Sequence, residues 1–292
     1  MSRHILSRNL FLFFFSITTL LVFYGPLKLL LVRSFHDELY DYIIIIPLVS
    51  AYFFYIKRKE IFSDQEYSVQ AGTGIIVFGI LLYLIGVGQE NRFNQSDYLS
   101  LVIFSSIVFW IGGFTLFNGL KTLRKALFPL LFLILMVPLP TPVLEKIISI
   151  LQEGSTEAAF TIFKLFGVPV LREGFVFHLP QLSIEVAEEC SGIHSAVALF
   201  ITSLIVGKLF LNSGWRRCVL SLSIFPIAIV KNGLRIVTLS LLGSYVDERI
   251  LSGALHKQGG IPFFLLAVSF LLIVLWVLKR MERRTRPSTR MS

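Results

Sequence analysis

Three side chains in this sequence could act together in acyl transfer, and they are Cys190, Arg235 and His256. A thiol reacts as its thiolate, and its reference pKa of about 8.5 must be lowered by a nearby cation or a helix N-terminus. A histidine within hydrogen-bond reach can take the thiol proton and later protonate a leaving amine. An arginine stays charged and can stabilise the oxyanion of a tetrahedral intermediate. These residue types therefore suffice in principle for acyl transfer at a peptide bond.

Each of these residues also has an ordinary structural explanation when it is taken alone. A lone cysteine at a helix start is most often a small buried residue, and we assign that role to Cys218, which follows Arg217 among apolar neighbours. Arg235 could be an interfacial anchor, although Asn232 and Gly233 beside it suggest a shaped turn. The catalytic interpretation therefore depends on whether the chain brings the three residues together.

The composition predicts a membrane protein. The 292 residues are 55% hydrophobic and 15% charged, with a mean hydropathy of +0.77, whereas soluble domains carry about 25% charged residues. The net charge of +9 does not indicate nucleic-acid binding, because the basic residues lie at the ends of apolar runs and form no basic stripe with interleaved aromatics. We therefore predict a membrane-lipid environment and no nucleic-acid partner.

A membrane-spanning helix needs about 20 mainly apolar residues, and eight segments qualify, some of them short. They are 10–31, 40–56, 73–88, 97–118, 126–138, 192–211, 217–235 and 261–279. With the N-terminus in the cytoplasm, 17 of the 27 Lys and Arg residues fall on the cytoplasmic side, and the loops 35–39 and 89–97 on the other side are acidic or polar. The sequence predicts an all-α polytopic membrane protein of about eight transmembrane helices, with both termini in the cytoplasm.

We predict a single transmembrane domain over residues 1–280, and a basic cytoplasmic tail over 281–292 that lies against anionic lipid. Residues 143–166 are predicted as a helix that is interfacial or packed inside the bundle, because polar residues interrupt it. Residues 170–186 are predicted as a small extracytoplasmic hairpin, since apolar residues alternate there between Gly174 and Pro180.

The predicted topology brings three polar segments to one edge of the membrane. Residues 185–195 open one span, residues 231–236 close the next, and residues 255–260 precede the last. The spans were assigned from apolar runs and basic flanks alone, so this convergence is independent of the chemistry. It places Cys190, Arg235 and His256 together on the non-cytoplasmic side.

At these residues the sequence resembles the exosortase/archaeosortase family of multipass membrane transpeptidases or proteases. The resemblance covers roughly residues 130–275 by motif, and the whole chain by topology. It is carried by Arg172-Glu-Gly with the later Leu179-Pro, by Glu185-Val-Ala-Glu-Glu-Cys190-Ser-Gly-Ile, by Asn232-Gly-Leu-Arg235-Ile and by His256 before Gly259-Gly260.

The resemblance implies a cysteine peptidase or transpeptidase in the cell membrane, with an extracytoplasmic active site. Its substrates would be exported proteins with a C-terminal sorting signal, which consists of a short motif, a transmembrane helix and a basic cluster. Cys190 matches the family's nucleophile, Arg235 its arginine and His256 its acid/base, and cleavage would pass through a thioester on the cysteine. The resemblance implies no metal and no organic cofactor.

Two departures from the family pattern concern the neighbours of the cysteine. His194 stands where many members have Arg, and at i+4 from Cys190 on a helix it could compete with His256 for the thiol proton. Carboxylates beside a thiol oppose the thiolate unless they pair with a cation, and Glu189 stands where a small Ala is common. We favour His256 as the base. Substrate binding or orientation is assigned to Glu185, Glu188, Glu189, His194, Asn232 and Arg172.

Two other functions stay open at this point. One is a transporter or channel for an anion or a proton, and the other is a non-catalytic component of polysaccharide or protein export. A transporter should carry ionisable residues near the membrane midplane on broken helices, whereas the central stretches of these spans carry almost none. Replacement of Cys190 separates an enzyme from both alternatives.

Overall fold

The structure is a computed structural model that describes residues 3–245 and 260–284, with side chains from residue 8 onward. It is almost entirely helical, and one small sheet is the exception. The Cα positions group into two compact units, Met1–Leu144 and Glu145–Ser292. The single transmembrane domain predicted from the sequence stays a prediction.

The first unit is built from apolar helices joined by short connections. Its α-helices are α1 Arg3–Val22, α2 Tyr24–His36, α3 Ile45–Ile56, α4 Arg58–Ile61, α5 Val69–Gly88, α6 Gln95–Lys125 and α7 Leu127–Phe132. Two 3₁₀ segments, Glu38–Ile44 and Leu133–Met136, precede α3 and follow α7.

The first predicted span, residues 10–31, is not one straight helix. The chain bends by 72° between α1 and α2, with Phe23 outside helical geometry. Pro26 lies in the first turn of α2, where its missing N–H and fixed φ are tolerated, whereas a helix running through it would lose a hydrogen bond. The prediction of a single continuous helix was therefore wrong at this proline.

Helices α5 and α6 pack along a line of glycines. Gly72, Gly79 and Gly86 are buried at seven-residue intervals on one face of α5. A Cβ at Gly79 would lie 2.8 Å from the backbone nitrogen of Phe109 on α6. The small residues let the two backbones approach closely, which is how many membrane helices gain packing energy.

The second unit holds the segments that the sequence analysis singled out. Most of α8 Thr141–Leu165 belongs to it, together with strands β1 Leu171–Glu173, β2 Val176–His178 and β3 Ser183–Glu185. A 3₁₀ turn, Glu188–Ser191, leads to the helices α9 Ile193–Phe210, α10 Gly214–Leu222, α11 Ile224–Tyr245 and α12 Gly260–Arg284.

The predicted hairpin is present and has a third strand. The order is β1-β2-β3 with antiparallel pairing throughout, and Phe177 of β2 lies opposite Arg172 of β1 and Ile184 of β3. Gly174 takes φ +61° in the first turn, a conformation that favours glycine. Phe177 is fully buried and stacks edge-on against Phe163 of α8, so the sheet is attached to α8 through its inner face.

Within residues 3–245 and 260–284, six helical segments are long and apolar enough to cross a membrane, and the number rises to eight if each of two bent pairs counts as one span. The six are Glu38–Ile56, Val69–Gly88, Gln95–Lys125, Glu188–Phe210, Gly214–Tyr245 and Gly260–Arg284. The all-α polytopic fold predicted from the sequence is therefore confirmed.

The helix that carries Arg235 is longer than predicted. The predicted span ends at residue 235 with a shaped turn at Asn232 and Gly233, but α11 continues without a break to Tyr245. Asn232 and Gly233 are buried within it, and a Cβ at Gly233 would lie 2.8 Å from Ala158 Cβ on α8. The polar cluster marks a contact between two helices and not the end of a helix, which is why the pattern misled.

Candidate active site

Cys190 lies in the short 3₁₀ turn Glu188–Ser191, and its amide donates to the carbonyl of Ala187 at 2.9 Å. Gly192 follows in the left-handed region with φ +79° and ψ +16°, and α9 begins at Ile193. Cys190 and His194 are thus not on one continuous helix. The i, i+4 argument for their proximity requires such a helix and does not apply.

The segment that leads into this turn is fixed by hydrogen bonds on both sides. The amide of Val186 donates to the carbonyl of Phe175 at 2.9 Å, and Gln152 Nε2 of α8 donates to the carbonyl of Val186 at 2.7 Å. Gln152 is buried together with Ser155 and Thr156 on the same helix. Three of the polar residues that interrupt the apolar pattern of α8 therefore point inward, where Gln152 holds the backbone near Cys190, whereas Glu153 and Glu157 are exposed.

Cys190 and Arg235 line the same small cavity of about 50 Å³, which is large enough to hold water. Its lining is Ile184, Glu185, Val186, Cys190, Asn232, Arg235, Ile236, Leu239 and Ser240. Two buried lining atoms, Asn232 Oδ1 and Ser240 Oγ, have no hydrogen-bond partner among the described residues. The cavity is thus mostly apolar, and its wall carries a thiol, a guanidinium and two polar atoms whose hydrogen-bonding capacity is unused.

Two charged groups act on the Cys190 thiol, and they do so with opposite sign. They are the guanidinium of Arg235 and the carboxylate of Glu189, and burial of the thiol, the largest effect on it, acts in the same sense as the carboxylate. Arg235 lies on α11 and Glu189 immediately precedes the cysteine. The fold therefore brings one cation to the thiol from a different helix, the kind of group that lowers the pKa of reactive cysteines.

The predicted orienting residues divide into two groups. Glu185 and Asn232 line the cavity, whereas Glu188, Glu189 and His194 are exposed and are not part of its lining. Arg172 is not part of the lining either. It forms an ion pair with Glu157 of α8, and its Nε donates to the carbonyl of Gly174 at 2.9 Å. Its contacts fasten β1 to α8, which is a structural role.

Two residues near the cysteine were not assigned a role in the sequence. Lys231, at 3% exposure, donates from Nζ to Ser195 Oγ at 2.5 Å, and Ser195 Oγ donates to the carbonyl of Gly192 at 2.9 Å. Asn232 Nδ2 donates to the carbonyl of Cys190 at 2.6 Å. A lysine inside an otherwise apolar span was the available signal, because such residues face protein interiors and have partners.

Both cysteines are free, and Cys218 is exposed on α10. The prediction that it is a small buried residue was wrong, because Cys218 lies with the exposed Val219 and Leu222 on the outward side of α10, whereas Leu220 is buried. His256 lies outside the described residues, so its role as the base stays a prediction. Within the described ranges, no group of three or more His, Cys, Asp or Glu residues could hold a metal ion.

Taken together, the helical spans and the cysteine–arginine cavity define a polytopic membrane protein with a candidate thiol site inside its second unit. The sequence model of the transmembrane exosortase family matches residues 32–274. This range includes every described element of the site, and the chain belongs to that family. No curated protein and no solved structure matches the chain.

Proposed function

We propose that this chain is an exosortase-type cysteine peptidase or transpeptidase of the cell membrane. It cleaves C-terminal sorting signals of exported proteins on the outer face. The observation that carries this proposal is that Cys190 and Arg235, on different elements and far apart in sequence, line one cavity. Membership of the transmembrane exosortase family supports the same assignment.

The chemistry uses the chain's own residues. The Cys190 sulfur attacks the carbonyl carbon of the scissile peptide bond as its thiol proton passes to His256, with His194 as the alternative acceptor. The guanidinium of Arg235 donates hydrogen bonds to the oxyanion of the tetrahedral intermediate. The C–N bond then breaks, the base returns the proton to the leaving amine, and the substrate's acyl group remains on Cys190 as a thioester.

In the second half of the reaction, a nucleophile attacks the thioester carbonyl and releases the cysteine. An amine or hydroxyl acceptor gives transpeptidation, and water gives hydrolysis. In both cases the base removes the acceptor's proton and returns it to the leaving thiolate. No redox partner is needed, because the oxidation state of the acyl carbon does not change.

Helix length supports an active site near one membrane surface. The candidate span Gly214–Tyr245 has 32 residues and is longer than the hydrocarbon core, and Arg235 comes 21 residues after Gly214, which corresponds to roughly 32 Å of helix, about the thickness of that core. Arg216 and Arg217 mark the first end as the cytoplasmic one by the positive-inside rule. Arg235 is then near the opposite surface, which is the extracytoplasmic side in this proposal.

The test is cleavage of an exported reporter that carries a C-terminal sorting signal from the same genome. Cys190→Ala should abolish the size shift of the reporter, while Cys218→Ala, which removes the exposed second thiol, should leave it unchanged. Equal amounts of each variant in the membrane, with equal thermal unfolding midpoints, control for folding. Normal cleavage by the Cys190→Ala protein would overturn the proposal.

A further inference from the structure

Lys231 carries a buried ammonium group, and pairing with an opposite charge does not explain its position. It makes no ion pair with a carboxylate within residues 8–245 and 260–284, and the charge that acts on it is the like charge of Arg235. Burying an unpaired ammonium is costly, and an apolar side chain of similar volume would fit at lower cost. Its hydrogen bond to Ser195 Oγ, at 2.5 Å, is the contact that the lysine supplies and an apolar residue would not.

Through that bond Lys231 reaches the backbone next to the cysteine. Ser195 Oγ accepts from Lys231 and donates to the carbonyl of Gly192 at 2.9 Å. The next residue of α11, Asn232, donates directly to the carbonyl of Cys190 at 2.6 Å. Two consecutive side chains of one helix thus hold two carbonyls of the segment 190–192.

The backbone of this segment is also in close contact with the same two side chains. A Cβ at Gly192 would lie 3.1 Å from Asn232 Oδ1 and 3.4 Å from Lys231 Nζ. Only glycine fits this position without displacement, and its φ of +79° favours glycine independently. The turn therefore packs directly against residues 231 and 232 of α11.

Arg235 lies one helical turn beyond these residues, at i+4 from Lys231 and i+3 from Asn232, and so shares their side of α11. Any contact that holds the turn to residues 231 and 232 also restrains the backbone of Cys190 relative to the backbone of Arg235. We infer that Lys231, acting through Ser195, is a positioning residue that holds the nucleophile's turn against the helix that carries the arginine. This inference rests on the function proposed for Cys190.

The test is the rate at which Cys190 reacts with iodoacetamide at a fixed, mildly alkaline pH. The full chain is used in detergent with Cys218→Ala, so that Cys190 is the single thiol. Lys231→Met keeps most of the buried volume and removes the donor. It should slow alkylation by about fivefold or more, the factor that corresponds to one lost hydrogen bond, because the thiol no longer stays beside the guanidinium.

Ser195→Ala removes the other half of the same contact and serves if Lys231→Met does not fold. The double variant should react no more slowly than the slower single variant, because both changes break one connection. Lys146→Met on α8 and Ser269→Ala on α12, which are exposed and remote in sequence from the cysteine, are the matched controls and should leave the rate unchanged.

An unchanged rate in folded Lys231→Met protein would overturn the inference. A faster rate would overturn it too, because it would mean that the contact only shields the thiol. Additive effects of Lys231→Met and Ser195→Ala on the rate would also overturn the inference. Since alkylation needs no substrate, this result stands apart from the reporter test: normal cleavage by the Cys190→Ala protein would remove the catalytic role and leave the positioning effect measurable.

Discussion

At the scale of single residues, the backbone at Gly192 has as much influence on the candidate nucleophile as the side chains around it. Gly192 ends the 3₁₀ turn of Cys190, adopts a left-handed conformation and touches Asn232. A residue with a side chain there would be strained in backbone conformation and crowded by its neighbour. Both effects would move the thiol.

Gly192→Ala should therefore destabilise the protein more than the same substitution at a left-handed glycine in open space. Gly174→Ala is the matched control, since Gly174 has φ +61° and its Cβ would meet no atom within 4 Å. We expect about 1 kcal/mol of lost unfolding free energy for Gly174→Ala, and about 2–3 kcal/mol for Gly192→Ala because crowding adds to the strain. Equal losses, measured by denaturation in detergent, would contradict the close contact.

The sequence was informative about the identity of the site residues and less so about how they are held. Residue chemistry and topology suggested that Cys190 and Arg235 converge, and the structure brings them to one cavity. Lys231 stood out as a lysine inside an apolar span, but its contact with Ser195 could not be predicted, because that contact depends on the depth at which two helices pack. The bend at Gly192 likewise removed the helical relation to His194 that spacing alone implied.

At the scale of helices, α5 and α6 depend on how closely their backbones approach. The buried glycines of α5 face α6, whereas Gly74 on the same helix is exposed and has no atom within 4 Å of its would-be Cβ. This contrast separates the effect of a glycine on packing from its effect on helix propensity.

Gly74→Ala and Gly79→Ala gain the same helix propensity, so their difference measures the contact alone. Gly74→Ala should be neutral or stabilising by up to about 1 kcal/mol. Gly79→Ala should lose about 1–3 kcal/mol, because its Cβ would press on the backbone of Phe109. Thermal unfolding in one detergent compares the pair, and a Gly79→Ala protein as stable as Gly74→Ala would contradict the packing.

Helix existence was easier to predict than helix ends. Apolar runs identified the spans because hydrocarbon requires them. They failed at Pro26, where the chain bends inside an apolar run, and at Asn232, where a polar cluster lies inside a helix. Local backbone geometry decides the structure at Pro26, and a contact between helices decides it at Asn232. Hydropathy contains information about neither.

At the scale of the whole molecule, the distribution of basic residues predicts how the chain is oriented across the membrane. Lys59 follows the second predicted span, and Asn91 lies in the polar loop after the third. The positive-inside rule puts Lys59 in the cytoplasm and Asn91 outside. Both side chains are exposed, so both positions are accessible to a reagent.

Single cysteines at these positions, in a chain with Cys190→Ala and Cys218→Ala, should react differently with a membrane-impermeant maleimide. Asn91→Cys should label in intact cells, and Lys59→Cys only after the membrane is opened. The reverse pattern would place the Cys190 site on the cytoplasmic side and contradict the proposed processing of exported proteins.

The central claim is that Cys190 carries the substrate's acyl group, and its most direct test is the mass of the intact protein during turnover. The purified chain is mixed with a sorting-signal peptide, quenched in acid and weighed. We expect an adduct equal to the N-terminal fragment of the peptide, located on Cys190, released by neutral hydroxylamine as a thioester would be, and absent from Cys190→Ala. Cleavage of the peptide without any adduct on Cys190, or an adduct that persists in Cys190→Ala, would contradict the account.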